Sequence, residues 1–453
     1  MKLKNKIIGI SAYNQIILRN FFHSGLVERL ISDGFYVKIF TYSFKNENYK
    51  DLLRSKKIKI VSFPEIEKNN LCQRFSRRIF IILQKSHYSS FRHAELAGAT
   101  RYLTSILSFL SKFLNSRALV NINAFLIYFF RNILILSRSK NKKLISELEE
   151  CQIFFSTDLF GEEDYKILSQ ADSLSIKTLS MVRSWDNCYS KGILRYTPHT
   201  IIVNNKDIKT ELIKLHFCTS EQIKIVGFPQ YDRFKKSEYL KRLTLKFSNL
   251  WPKKFILFCP AGDFLSKTDD DILQDLIDAL KELNLADKYK IIVRNHPAHP
   301  AKITVRDNIE IFHPGIQYKE GQKFSDFSSE DTDFYNGLLY YSDLVIHISS
   351  SVAVDALAFK KQQIIIGYDG HHELDYLKSV RRYHDEEHMK SFINSKAPFL
   401  VNNYEKLKTT LDNVLVRNIK NKYINKEYRR RFDLSFGKSI DEISSVVSDI
   451  VNN

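Results

Sequence analysis

The chain has 453 residues, a formal net charge of +18, 44% hydrophobic residues and 13% aromatic residues. That length accommodates two domains with cores of their own, and the composition excludes a disordered chain, a collagen-like repeat and a disulfide scaffold. Five cysteines, at 72, 151, 188, 218 and 259, form no CxxC pair, which points to a reducing compartment and away from a structural zinc site. The basic N-terminus carries too short an apolar run for a signal peptide, and no apolar stretch approaches the ~18 residues that span a bilayer. The excess positive charge calls for an anionic partner: nucleic acid, a membrane or anionic substrates.

From the N-terminus, short β-branched runs alternate with amphipathic ones, the pattern of βαβ units and a parallel sheet. Strands are expected at 7–10, 36–41 and 58–63, with a helix over 16–33. Residues 71–143 then break the pattern. They hold thirteen Lys or Arg against one acid, Glu95, a net +12, interleaved with apolar runs such as Ala124–Phe130 and without proline. Two or three helices are expected there. Apolar faces broken by cations suit helices lying in an anionic membrane interface. A helical insertion packed on its own domain, with a solvated basic face, is the alternative. No RNP signature, zinc finger or helix-turn-helix accompanies the charge, so nucleic acid is not the expected partner.

The strand pattern resumes at 153–156, 177–181, 200–203 and 223–226, with helices at 162–174 and 207–216. Asp158 follows the first of these strands, where a carboxylate serves either as general base towards an acceptor hydroxyl or as a cap for the helix at 162–174 or part of a turn. After 177–181 comes Arg183-Ser184-Trp185-Asp186-Asn187, then Ser190-Lys191-Gly192, with one of only two tryptophans between an Arg and an Asp. Arg183, Trp185, Asn187 and Lys191 are candidate acceptor contacts, and Asp186 is a second candidate base. The polar, lysine-rich stretch 231–252 reads as a linker. It divides an N-terminal domain (1–232) from a C-terminal domain (233–425), and an amphipathic pattern at 439–451 suits packing of the 426–453 tail on the first domain.

In the second half, strands are expected at 255–259, 290–293, 310–312, 344–348 and 363–367, with helices near 270–284, 333–342, 351–359 and 403–416. Gly262 follows the first strand and is a candidate donor contact. Arg294 and His296 fall at the carboxyl end of the second, before Pro297. Together they can neutralise a departing phosphate, and the His can donate a proton to it; a structural loop histidine is the alternative. His347 ends the buried strand 344–348, and Ser349, Ser350 and Ser351 follow on a strand-to-helix turn, where hydroxyls and unpaired N–H groups bind phosphate or simply cap the helix. The loop Gly367–Glu373 could also reach a donor. Asp331 and Asp333 form a DxD pair better placed to cap a helix than to chelate. His384 to His388 lacks the glutamate that the zinc-protease spacing requires, and there is no GxxxxGK[ST], GxGxxG or GxSxG. Two doubly wound domains facing a cleft would offer strand carboxyl ends to a nucleotide on one side and an acceptor on the other.

These elements resemble the GT-B class of nucleotide-sugar glycosyltransferases. The likeness is greatest to bacterial surface-polysaccharide enzymes related to the CDP-glycerol glycerophosphotransferases. It rests on SWDN…SKG (184–192), IVGFPQYDRF (225–234), VRNHP (293–297) and SDLVIHISSSVAVDALA (342–358), and covers about residues 150–400 with a looser match at the first strand and helix. The resemblance implies two Rossmann-like domains, a nucleotide-sugar donor and a lipid-linked or polysaccharide acceptor. It also implies catalysis without a metal or other cofactor, by an enzyme peripherally bound to the cytoplasmic face of the membrane. His296 and Ser349–Ser351 would then contact the donor phosphates. Ile346-His347 replaces the family's threonine-aspartate and argues against a glycerol-phosphate donor. Transfer of glycerol- or sugar-phosphate from a CDP donor, and a non-catalytic membrane-docked scaffold with a degenerate nucleotide site, are the alternatives, with a nucleotide-sugar epimerase of related fold behind them.

Overall fold

The computed structural model describes residues 6–13, 17–41, 55–62, 71–84, 101–116, 118–136, 141–247, 254–297, 299–314, 328–348, 350–376, 378–432 and 436–452. Ser349 lies outside the described residues. The chain divides into two compact units, residues 1–232 with 434–453, and residues 233–433.

The first unit is built on seven parallel strands: β1 (Lys6–Ser11), β2 (Phe35–Thr41), β3 (Ile58–Ser62), β4 (Ile153–Ser156), β5 (Lys177–Met181), β6 (Thr200–Val203) and β7 (Ile223–Ile225). Their order is β3-β2-β1-β4-β5-β6-β7. β4, Ile-Phe-Phe-Ser, is wholly buried, as expected of a central parallel strand covered on both faces. The helix expected over 16–33 is interrupted. Gly25 sits at φ +96°, a left-handed conformation that ends one turn and starts α1 (Leu26–Ser32).

The insertion forms α2 (Leu71–Leu83), α3 (Arg101–Leu114) and α4 (Val120–Leu136), followed by α5 (Lys142–Glu149). Phe80, Leu83, Ile127 and Leu134 pack with Ile193 of the parent domain, so the insertion is joined to its own unit. No helix among the described residues is long and apolar enough to cross a membrane. Between the later strands of this unit lie α6 (Glu162–Ser173), the short α7 (Asn187–Ser190) and α8 (Lys206–His216).

The second unit opens on α9 (Ser237–Phe247), where the lysine-rich sequence reads as a linker. Lys236 and Lys241 are exposed, while Tyr239 and Leu243, one turn apart, are buried. The Tyr239 hydroxyl donates to Asp333 Oδ1 at 2.8 Å and accepts from Asn336 at 2.9 Å, and Arg233 and Arg242 pair with the same Asp333. Asp333 is thus occupied by this ring of partners, while Asp331 closes a capping box with Ser328.

Six parallel strands follow: β8 (Phe255–Cys259), β9 (Lys290–Arg294), β10 (Ile309–Phe312), β11 (Leu344–His347), β12 (Gln363–Ile366) and β13 (Phe399–Val401), in the order β10-β9-β8-β11-β12-β13. They are flanked by α10 (Asp269–Glu282), α11 (Ser329–Tyr341), α12 (Val352–Ala358), α13 (Glu387–Asn394), α14 (Tyr404–Leu411) and α15 (Tyr423–Phe432). The last helix, α16 (Ser439–Asn452), belongs to the first unit, where Ile443 and Val447 join the core around Ile8, Leu26 and Phe155. Its start is held by Asp232, whose carboxylate accepts from Gly437 N–H, the Ser439 hydroxyl and Ile440 N–H at 2.8–2.9 Å.

Candidate functional site

A doubly wound sheet leaves a crevice beyond its strand carboxyl ends where the strand order reverses. In the first unit the reversal falls between β1 and β4, and in the second between β8 and β11. The sequence candidates are distributed along these two edges, and each edge is described by itself.

In the first unit, Asp158 lies two residues beyond β4. Its Oδ1 accepts from Phe160 N–H at 3.3 Å, and its Oδ2 lies 3.2 Å from Arg183 Nε, just after β5. The N-cap position of the helix after it is Gly161 rather than Asp158, while the bonds from Phe160 N–H to Asp158 Oδ1 and from Gly161 N–H to its carbonyl are those of a turn. Asp186 is tied into its own loop, accepting from the Ser184 and Ser190 hydroxyls. Trp185 is buried, Asn187 is buried with its side-chain amide nitrogen unpartnered, and Lys191 is exposed.

Beneath Asp158 is a residue that sequence reasoning missed. Asp164 on α6 is buried and accepts through Oδ1 from the hydroxyls of Ser11, at the end of β1, and Ser156, at the end of β4. Ser180 of β5 donates to Ser156 in turn at 3.0 Å. Three adjacent strands therefore converge on one carboxyl. Burial, then the neighbouring charge of Asp158, pushes it up to about 7, because both disfavour the ionised form. In sequence, Asp164 is the third acid of Glu162-Glu163-Asp164, which reads as ordinary first-turn complementation of a helix dipole. Only its position against β1 and β4 distinguishes it.

In the second unit, the loop after β8 folds back on Asp269, which accepts from Ala261 and Gly262 N–H at 2.9 and 3.0 Å. Gly262 has φ +91°, and a Cβ there would lie 2.1 Å from the His299 carbonyl and 2.9 Å from His296 Cβ. Only glycine permits the β8 loop to lie this close to the loop after β9.

That second loop is pinned by Asn295, fully buried, which bridges the Ala301 N–H and C=O and accepts from His296 N–H at 2.8 Å. His296 Nδ1 accepts from His299 N–H at 3.0 Å, which places the ring proton on Nε2 as a donor. Burial, then His299 and Arg294, lowers its pKa to about 4. The ring is therefore neutral near pH 7, so any anion it met would receive a hydrogen bond rather than a full charge. Arg294 stacks 4.0 Å over the Tyr335 ring and leaves a buried Nε without a hydrogen-bond partner.

Beyond β11, Ser350 accepts from Val352 N–H at 3.2 Å, while Ser351 is exposed and makes no side-chain cap. His347 has no exposed surface. It bonds Gln363 at 3.1 Å, and Gln363 in turn donates to Ala353 at the start of α12. It therefore supports the serine turn from below and has no surface with which to touch a donor. His371 and His372 of the 367–373 loop face Asp275 and Asp271 of α10. Among the described residues no group of three or more His, Cys, Asp or Glu is arranged to hold a metal ion.

Neither a family model nor a curated protein matches the chain. Solved structures do. The UDP-GlcNAc 2-epimerase of Neisseria meningitidis bound to UDP-GlcNAc superimposes with a TM-score of 0.52 at 11% identity, over 99% of this chain and 99% of that one. The UDP complex of S. aureus MnaA gives 0.54 at 10% identity, over 99% and 97%. The wall teichoic acid polymerase TagF gives 0.51 at 14% identity, over 99% and 90%. At these identities the likeness is one of fold. The chain is an α/β protein of the GT-B fold, built from two Rossmann-like domains, as its sequence motifs lead one to expect.

Proposed function

We propose that the protein is a glycosyltransferase that moves a sugar from a nucleotide-sugar donor to a lipid-linked surface-polysaccharide acceptor, at the cytoplasmic face of a bacterial membrane. The observation that carries this reading is the arrangement at the β8/β9/β11 edge. There Arg294, the Nε2 donor of His296 and the hydroxyls of Ser350 and Ser351 lie at the ends of neighbouring strands, around the glycine turn at 262. These are the groups a nucleoside diphosphate requires: one fixed charge and several directed donors. The structures of similar fold that carry UDP or UDP-GlcNAc support the donor class.

In this reading the acceptor hydroxyl attacks the anomeric carbon of the donor sugar. Its proton passes to a carboxylate base, for which Asp158, paired with Arg183, is the candidate. The bond from the anomeric carbon to the donor phosphate breaks, and its electron pair leaves on the nucleoside diphosphate, which Arg294 and His296 stabilise. The basic, aromatic insertion docks on the anionic membrane that holds the acceptor. A thermal-shift screen with UDP-, GDP- and CDP-linked donors tests the donor site, since a saturating ligand stabilises the fold by a few kcal/mol. The likeness to a teichoic acid polymerase keeps one chemical alternative in view. Phosphate retained in the new linkage, seen by mass spectrometry of the product, would reassign the reaction to phosphotransfer.

A further inference from the structure

The insertion helices contradict the usual placement of aromatic residues. Phe75 of α2 and Phe125, Tyr128 and Phe129 of α4 are about half to two-thirds exposed, at 60, 64, 66 and 48%. They are contiguous: Phe75 meets Phe130 at 6.3 Å, Phe130 meets Phe129 at 5.4 Å, and Phe129 stacks on Phe125 at 6.4 Å. α4 buries Asn123, Ile127 and Leu134 on one side yet remains apolar on the other. A helix apolar all round needs a second apolar surface to cover it. The described parts of 71–136 contain no Asp or Glu, and Arg74 of α2 and Lys112 of the neighbouring α3 are exposed. This combination is complementary to an anionic bilayer, with rings entering the acyl boundary and cations meeting headgroups.

The opposite side of the same helices holds the loop that follows β5. Gln84, fully buried at the end of α2, donates its amide to Cys188 O at 3.3 Å and Tyr189 O at 2.7 Å. The main-chain carbonyl of Gln84 accepts from Ser111 of α3 and from Asn115 just after it, and the Leu83 carbonyl accepts from Asn123 of α4. Asn123 also donates to Asn115 at 2.8 Å. All three helices must be in place for this polar knot to be satisfied. Further along, Arg131 of α4 donates to Leu194 O at 2.7 Å and His216 O at 2.9 Å, and His216 reaches Cys188 O at 2.9 Å. The insertion therefore clamps residues 188–194 at both ends.

We propose that the aromatic face of α2 and α4 is a bilayer-contact surface, and that its occupancy is transmitted through Gln84 and Arg131 to the 188–194 loop beside Asp186. The proposal rests on the membrane reading above and adds how that contact acts on the protein. Gln84 is a positioning residue in this scheme.

Hydrogen–deuterium exchange of the full chain, with vesicles of phosphatidylglycerol and phosphatidylethanolamine, tests it without reference to activity. Vesicles should slow exchange in 188–194 at least threefold, and neutral phosphatidylcholine vesicles should not. Gln84→Glu, which keeps the shape but loses the amide donor, should co-sediment like the wild type and lose the slowing. Phe125→Ser with Phe129→Ser, both at exposed positions, should lose co-sedimentation several-fold and leave vesicle-free exchange unchanged. Wild-type protein bound to vesicles with unaltered exchange in 188–194 would overturn the transmission and leave the membrane reading standing. Failure to co-sediment, or burial of the face in a concentration-dependent dimer, would overturn the bilayer surface itself.

Discussion

Two serine hydroxyls point into the Asp164 carboxyl, in a site closed to water and beside Asp158. Its raised pKa, about 7, has a definite sign for stability. The native state holds a proton that the unfolded chain has already released, so this group's contribution is full below the ordinary aspartate range and declines as pH rises towards 7. Asp164→Asn, whose Oδ1 can still accept from Ser11 and Ser156, should flatten that decline. At pH 8 it should unfold in urea with roughly 1–3 kcal/mol more stability than the wild type. Gly262→Ala acts in the other direction. A Cβ that meets the His299 carbonyl at 2.1 Å must push the β8 and β9 loops apart. The expected cost is ~1–3 kcal/mol of stability, together with a loss of nucleotide affinity of more than ~10-fold, about 1.4 kcal/mol or more, read by calorimetry.

Most strands were legible in the sequence because fully buried parallel strands are uninterrupted apolar runs, such as Phe255–Cys259 and Leu344–His347. β13 escaped notice because Phe399–Val401 is three residues long, only one of them fully buried. α9 was misjudged for a different reason. Its lysines dominate the composition of 231–252, while its structural information lies in Tyr239 and Leu243 and in a tertiary partner, Asp333, which lies far along the chain. Removing that hydroxyl tests the assignment. Tyr239→Phe leaves Asp333 and Asn336 each short of one partner and should cost ~1–3 kcal/mol in urea unfolding, with donor affinity unchanged. Among the site residues, Arg294 and His296 stood out because strand-end polar groups are informative in doubly wound folds. Asp164, Asn295 and Gln84 did not. Their roles depend on burial against distant segments, which local pattern does not encode.

At the scale of the molecule, the +18 charge first suggests a general affinity for polyanions. Its concentration in 71–143, and the aromatic face on the helices of that segment, are what the proposed bilayer contact rests on. The buried histidines also titrate with a direction. Burial lowers the pKa of His216 to about 3 and those of His296 and His347 to about 4. Each stays neutral in the native state where the unfolded chain takes up a proton, so together they should outweigh the opposite change at Asp164 and stability should fall as pH drops from about 6.5 towards 4. A thermal melting series across that window measures the fall, and His347→Gln should reduce its slope.

In the proposed function the second domain binds a nucleotide-linked sugar through His296 and Arg294. Isothermal titration of UDP-, GDP- and CDP-sugars against the wild type, His296→Ala and Arg294→Ala measures this directly. One of these donors should bind saturably, at least ~10-fold more weakly in each variant, a loss of ~1.4 kcal/mol or more, while both variants melt as cooperatively as the wild type. Absence of binding by every donor, or wild-type affinity retained in both variants, would contradict it.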